Sequence, residues 1–317
     1  MTMKIVVLDG YALNPGDNPW DAVAALGDLT VYDRTAQEEI LCRSAGAEIL
    51  MTNKTPLGEA EFAKLPELRY IGVLATGYNV VDVAAAARRG ITVTNIPTYG
   101  TDSVAEHTFA LILELCRGVG AHAESVRRGE WSACPDYSYS VTPQIELCGK
   151  TLGLVGYGRI ARRTAALARA FGMHILCTTP HPTDEDGVTF CDLNTLCRES
   201  DFISLHCPAK PDTVNMVDSA FLAAMKPTAY LVNTSRGQLV VEKDLRDALE
   251  RDVIAGAAVD VLSCEPPKEN VLIGAKNCIV TPHVAWATRE ARTRLMAAAA
   301  ENLRAYLAGA PVNTVTA

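Results

Sequence analysis

Long hydrophobic runs are what this sequence most clearly lacks. No stretch approaches the ~18 consecutive apolar residues of a membrane helix. Positive charge is also short: 29 Lys and Arg stand against 37 Asp and Glu, for a net charge of −8. Such a chain lacks the basic footprint that grips phosphate backbones or anionic lipid, so neither nucleic acid nor membrane is expected as a partner. Paired cysteines are missing too. The ten cysteines, at 42, 116, 134, 148, 177, 191, 197, 207, 264 and 278, include no C-x-x-C spacing. No metal site is read from them, and they are expected to be reduced thiols in a cytoplasmic protein. The apolar run near the N-terminus stops at Asp9, too short for a signal peptide. Internal repeats and low-complexity segments are absent.

Charged residues are only 21% of the chain and hydrophobic ones 49%, which excludes a disordered polymer. A length of 317 residues suggests two domains. Short apolar runs at Ile5–Leu8, Ala47–Met51, Tyr70–Leu74 and Thr92–Thr94 read as strands. Trp20–Leu26, Glu38–Cys42, Glu59–Lys64 and Val81–Arg88 suit helices between them. That alternation predicts an α/β fold with a parallel sheet, and this first series ends near Pro97. A capped helix opens at Thr101-Asp102 and runs to about Gly118. Trp131–Pro143 reads as an irregular loop. A second series follows, with strands at Thr151–Val155, His174–Cys177, Phe202–His206, Ala229–Asn233, Gly256–Val261 and Cys278–Thr281. Arg289–Leu307 reads as a closing helix.

The strand Thr151–Val155 runs into Gly156-Tyr-Gly158-Arg159-Ile160-Ala161. Gly156 permits the tight turn, Gly158 lets the backbone approach a pyrophosphate, and Ala161 takes the third small position. Arg159 and Ile160 open a helix whose free N–H groups face the phosphates. This strand–turn–helix context predicts dinucleotide binding. The acidic residue that grips the ribose belongs ~20 residues further on. Thr179 occupies that place, with Thr178 and His181 near it, and no carboxylate is there. Both NAD and NADP therefore remain open as cofactor.

Three residues that follow predicted strands of this second series suit proton and anion chemistry. Arg236 follows Ala229–Asn233, Glu265 follows Gly256–Val261, and His283 follows Cys278–Thr281. In doubly wound sheets, ligands sit beyond the carboxyl ends of the strands. Reduction of a 2-keto acid needs a proton for the developing alkoxide, which histidine supplies near neutral pH. A carboxylate on the other ring nitrogen fixes the tautomer, and a guanidinium clamps the substrate carboxylate bidentately.

Gly156-Tyr-Gly158-Arg-Ile, Asn233-Thr-Ser-Arg236-Gly, Asp260…Glu265-Pro-Pro and Pro282-His283…Trp286, in this order, resemble the D-2-hydroxyacid dehydrogenase family. Leu8-Asp-Gly-Tyr, Gly72-Val-Leu-Ala-Thr-Gly-Tyr-Asn and Thr101-Asp-Ser-Val-Ala-Glu-His107 look closest to its glycerate dehydrogenase/hydroxypyruvate reductase branch. The resemblance spans essentially the whole chain. It implies His283 as acid/base, Glu265 as its partner and Arg236 as substrate clamp. It implies Thr76 and Gly77 as backbone donors to the substrate carboxylate and Trp286 as a cap on the pocket, the alternative for Trp286 being a core or interface aromatic. It puts Asp260 near the nicotinamide amide and Thr234 and His206 near the cofactor, although His206 also fits a structural strand-end histidine. His107, His122, His174 and His181 are assigned no function.

The resemblance further implies two Rossmann-like or flavodoxin-like α/β domains with parallel sheets and an active site in the cleft between them. Residues 1–99 with 287–317 would be the substrate domain, and 100–286 the dinucleotide-binding domain. The expected protein is a homodimeric NAD(P)-dependent reductase of hydroxypyruvate or glyoxylate. D-lactate and formate remain alternative substrates, and phosphoglycerate fits less well because the chain ends at Ala317. A cofactor-sensing corepressor that binds peptides on the same fold is the reading from another functional class.

Overall fold

The computed structural model describes residues 2–316 and divides the chain into two units. One is Met1–Gly100 with Trp286–Ala317, and the other is Thr101–Ala285.

The first unit is built on five parallel strands: β1 (Lys4–Val7), β2 (Asp28–Val31), β3 (Ile49–Thr52), β4 (Tyr70–Val73) and β5 (Thr92–Thr94). Their order is β2-β1-β3-β4-β5, the flavodoxin-like winding. Side chains alternate between faces, so both faces need apolar cover. Ile5 and Val7 enter one core with Ile49, Met51 and Tyr70. Val6 and Leu8 enter the other with Leu50, Ile71 and Val73. The helix Arg289–Leu307 seals the first of these cores with Leu295, Met296, Ala299, Ala300 and Leu303. Thr288 caps it by accepting from Ala291 N at 3.2 Å. The buried Arg292 grips both oxygens of Asp17, at 2.6 and 2.8 Å.

The second unit holds seven parallel strands: β6 (Thr151–Val155), β7 (His174–Thr178), β8 (Thr189–Phe190), β9 (Phe202–Leu205), β10 (Tyr230–Asn233), β11 (Gly256–Val259) and β12 (Cys278–Val280). Their order, β12-β11-β10-β9-β6-β7-β8, reverses direction between β6 and β9, the doubly wound pattern of a dinucleotide fold. Val155, Ile203, Leu205, Leu231 and Val259 fill one face, and Leu152, Leu154, Phe202, Val232 and Ala258 the other. The helix Thr101–Arg117 covers the latter face with Phe109, Leu111, Ile112 and Cys116.

Several boundaries differ from those read in the sequence. Trp20–Leu26 shortens to a helix at Asp21–Ala24. Val81–Arg88 begins at Val83, because the Asp82 carboxylate caps Ala85 N at 2.8 Å. The loop expected from Trp131 opens with a short helix at Glu130–Ala133. The edge strands β2 and β8 have no counterpart in the reading. All ten cysteines are free.

Candidate active site

The turn after β6 fits a pyrophosphate in three respects. Gly156 has φ +93°, and a Cβ there would lie 2.7 Å from His206 O, so only glycine fits. A Cβ at Gly158 would meet nothing within 4 Å, which leaves open space over the turn. The twelve-residue helix Arg159–Ala170 starts there, its N-cap Gly158 making no side-chain hydrogen bond, so the positive end of the helix dipole faces the turn. Arg159 is exposed and Ile160 half-buried at its first two positions. Gly156 N donates to Thr178 O at 2.8 Å, tying the turn to the end of β7. Thr179 follows, half-buried, with its hydroxyl 3.4 Å from His181 N.

His206 follows β9 and reaches the same turn, since its own carbonyl packs on Gly156. Its Nε2 bonds Ser204 Oγ at 2.9 Å. Desolvation holds its pKa down at about 4, so the ring is neutral near pH 7. Thr234 is buried beyond β10 and shares a 3.0 Å bond with the Thr108 hydroxyl.

The loops after β10, β11 and β12 leave neighbouring strands at one edge of this sheet. Asn233 shapes the first of them, accepting from Ser235 N at 3.0 Å and donating to Arg236 O at 2.9 Å. Arg236 is exposed, its guanidinium donating to Ser235 O at 2.7 Å. Gly237 follows, and a Cβ there would lie 1.9 Å from the carbonyl carbon of Leu262. That close approach joins the Arg236 loop to the one that carries Glu265.

Glu265 Oε1 accepts from Leu262 N at 2.9 Å, and Oε2 lies 2.6 Å from His283 Nδ1. Both side chains are partly open to solvent, at 30% and 28% of full exposure. The pairing leaves Nε2 of His283 for another partner. His283 adopts φ +54°, a left-handed backbone that costs a β-carbon residue energy and persists only where its surroundings enforce it. Asp260 enforces it here. Its carbonyl accepts from His283 N at 2.8 Å. Its carboxylate, fully buried, accepts from Thr281 Oγ1 at 2.6 Å, Val284 N at 3.0 Å and Ala285 N at 2.8 Å. Burial pushes the Asp260 pKa up, but bonds from His107, Thr281, Ala285 and Val284 outweigh it and hold the carboxyl below its usual value. His107, assigned no role from sequence, stands 3.4 Å from Asp260 Oδ1. Its capping-box motif marked a helix start, but its partner lies 153 positions away and left no local signal.

In the other unit, Thr76 and Gly77 form the loop after β4. Thr76 is exposed, with its hydroxyl donating to Ile96 O at 2.8 Å and its carbonyl accepting from Asn95 Nδ2 at 2.7 Å. Trp286 is half-buried and meets Tyr99 edge-on, with centroids 6.1 Å apart.

Residues 109–285 match the profile of the D-isomer specific 2-hydroxyacid dehydrogenase family, NAD binding domain. A hydroxypyruvate reductase of Blautia hydrogenotrophica is 48% identical over 99% of both chains. The chain belongs to the D-2-hydroxyacid dehydrogenase family. Within that family, a glycerate dehydrogenase of Methylorubrum extorquens is 42% identical over 100% of both chains. An NADPH-dependent glyoxylate/hydroxypyruvate reductase of Sinorhizobium meliloti, solved with NADP and malonate, superposes with a TM-score of 0.85 at 27% identity, covering 99% of this chain and 97% of its own. As a family member, the chain is an NAD(P)-dependent oxidoreductase of 2-hydroxy acids.

Proposed function

We propose that this chain reduces a small 2-keto acid to its D-2-hydroxy acid, with hydroxypyruvate or glyoxylate as substrate and His283 as acid/base. The observation that carries the reading is the 2.6 Å His283–Glu265 bond, at the strand ends of a unit whose glycine turn fits a dinucleotide. The likeness to hydroxypyruvate and glyoxylate reductases supports the choice of acid.

Gly156, Gly158 and the helix start at Arg159-Ile160 would hold the pyrophosphate, Thr179 the adenosine ribose, and His206, Thr234 and Asp260 the nicotinamide half. A bound nicotinamide supplies the hydride. His283 gives its Nε2 proton to the developing alkoxide, and Glu265 on Nδ1 holds the ring in orientation. Arg236 clamps the substrate carboxylate, a task for a planar fork of donors rather than an ammonium. Thr76 and Gly77 offer backbone N–H groups to the same carboxylate, and Trp286 covers the substrate. Residues 1–99 with 287–317 serve the acid, and 100–286 the dinucleotide.

The protein is further read as a cytoplasmic homodimer. The free thiols support the compartment. Trp131, in the short helix Glu130–Ala133, and Tyr137, in the loop after it, 52% and 90% exposed, support a partner surface there. Among the described residues no helix is long and apolar enough to cross a membrane.

The test is a matrix of 2-keto acids against NADH and NADPH, scored as kcat/KM. Hydroxypyruvate or glyoxylate should lead, and pyruvate should trail. Failure to oxidise either cofactor with any 2-keto acid would sink the reading.

A further inference from the structure

The place expected to hold a ribose-binding carboxylate is Thr179, yet a carboxylate arrives at this end of the sheet by another route. The loop that leaves β7 runs through Asp184-Glu185-Asp186 before β8. Glu185 folds back onto the glycine turn. Its Oε1 accepts from the Tyr157 hydroxyl at 2.7 Å, and its Oε2 pairs with Arg162 Nη1. Tyr157 is the residue between Gly156 and Gly158, and Arg162 stands on the helix that the turn opens. The Arg162 guanidinium lies over the Tyr157 ring, 4.4 Å from its centroid, and Nη2 reaches Thr183 Oγ1 at 3.5 Å. Tyr157 is braced in turn by Phe190, edge-on at 5.3 Å. Burial and the Glu185 carboxylate both raise the pKa of the Tyr157 hydroxyl, so it stays a proton donor.

The position of this cluster gives it meaning. Gly156 N bonds Thr178 O, so the turn and Thr179 share one end of the β6–β7 pair. In dinucleotide folds an acidic residue at this end favours a ribose 2′-hydroxyl, whereas a nearby arginine accommodates a 2′-phosphate. Here the arginine is present but already neutralised on one side and stacked on the other. The next arginine, Arg163, is spent on Asp102 at 2.8 Å.

We propose that Glu185 sets cofactor choice by holding Arg162 away from a 2′-phosphate, so that this chain favours NAD over NADP. The proposal rests on the nicotinamide-cofactor reading of this unit and sharpens it. Glu185 carries the discrimination that the missing acidic residue at 179 would otherwise supply. Its side chain is only 25% exposed, so its charge is incompletely screened.

The test is fluorescence titration of NADH and NADPH into the wild-type chain, Glu185→Gln, Arg162→Gln and the double variant. Wild type should bind NADH more tightly. Glu185→Gln keeps a neutral acceptor for Tyr157 and releases Arg162. It should tighten NADPH by about tenfold while moving NADH by less than about twofold. Arg162→Gln in that background should erase the gain, and the gain should shrink as salt is raised. A tighter wild-type complex with NADPH, or a Glu185→Gln variant that moves both cofactors equally, overturns the proposal. Failure of the wild-type chain to bind either cofactor overturns the nicotinamide reading itself, and the proposal with it.

Discussion

Asp9 and Asp260 each follow a buried parallel strand, and each captures N–H groups from the loop after the neighbouring strand. Asp9, beyond β1, accepts from Asn53, Lys54 and Thr55 N at 2.7, 2.5 and 2.7 Å, in the loop after β3. Asp260, beyond β11, accepts from Val284 and Ala285 N in the loop after β12. The device is the same, and the difference lies in what the pinned loop carries. In the first unit it is Asn-Lys-Thr, with nothing that exchanges a proton near neutral pH. In the second it is Pro-His283-Val, with the histidine forced into a left-handed backbone and paired to a glutamate. Parallel-sheet architecture therefore supplies two equivalent scaffolds, and the residue types on the loops decide which one presents groups suited to acid–base chemistry.

That contrast breaks most completely at Gly237. A methyl there meets the Leu262 backbone at 1.9 Å, so Gly237→Ala must push apart the loops that carry Arg236 and Glu265. Turnover should fall by more than ~10²-fold and the second unit should lose at least about 3 kcal/mol, read by steady-state kinetics and denaturant unfolding. A variant with normal activity would mean that the two loops need not meet. Arg236→Lys should leave folding intact and lower kcat/KM for the keto acid by about 10²-fold, because an ammonium cannot replace a bidentate fork. An unchanged KM for substrates with a carboxylate would remove Arg236 from the clamp.

His206 sharpens the comparison through pH. Its folded pKa of about 4 lies below the usual 6.5, so the unfolded chain binds more protons between those values. Stability from this group is complete above pH 6.5 and is lost as pH falls toward 4. The wild-type chain should be about 2 kcal/mol less stable at pH 5 than at pH 7 on this account. His206→Asn should flatten that slope, and an equal slope in the variant would contradict it. The smallest effect belongs to the first unit. Asp9→Ala should cost about 1–2 kcal/mol in unfolding experiments and leave the NADH Kd unchanged. A large change in Kd would show that the scaffold of the first unit is not separable from cofactor binding.

The fold was legible where strands are buried on both faces. Ile5–Leu8 reads as an unbroken apolar run, and Phe202–Leu205 and Tyr230–Asn233 as apolar runs with one polar residue each, because both sides of a parallel sheet are covered. The strands that escaped are edges. β2 reads Asp-Leu-Thr-Val with every second residue exposed, and β8 is two residues long. The helix Val119–Arg127 went unread because Gly118, at φ +50°, ends one helix and starts the next without an intervening polar loop. In the site, Arg236, Glu265 and His283 stood out because each follows such an apolar run. Glu185 and His107 did not, because their partners Tyr157 and Asp260 are brought to them by the winding of the sheet and not by local spacing.

The most direct measurement compares His283→Asn with the wild-type chain in two readouts, NADH affinity by titration and turnover of hydroxypyruvate by the loss of nicotinamide absorbance. If His283 moves the proton and does not hold the cofactor, turnover falls by roughly 10²–10⁴-fold while the NADH Kd changes by less than about threefold. Turnover that survives the substitution, or a loss of cofactor binding as large as the loss of turnover, would contradict the account.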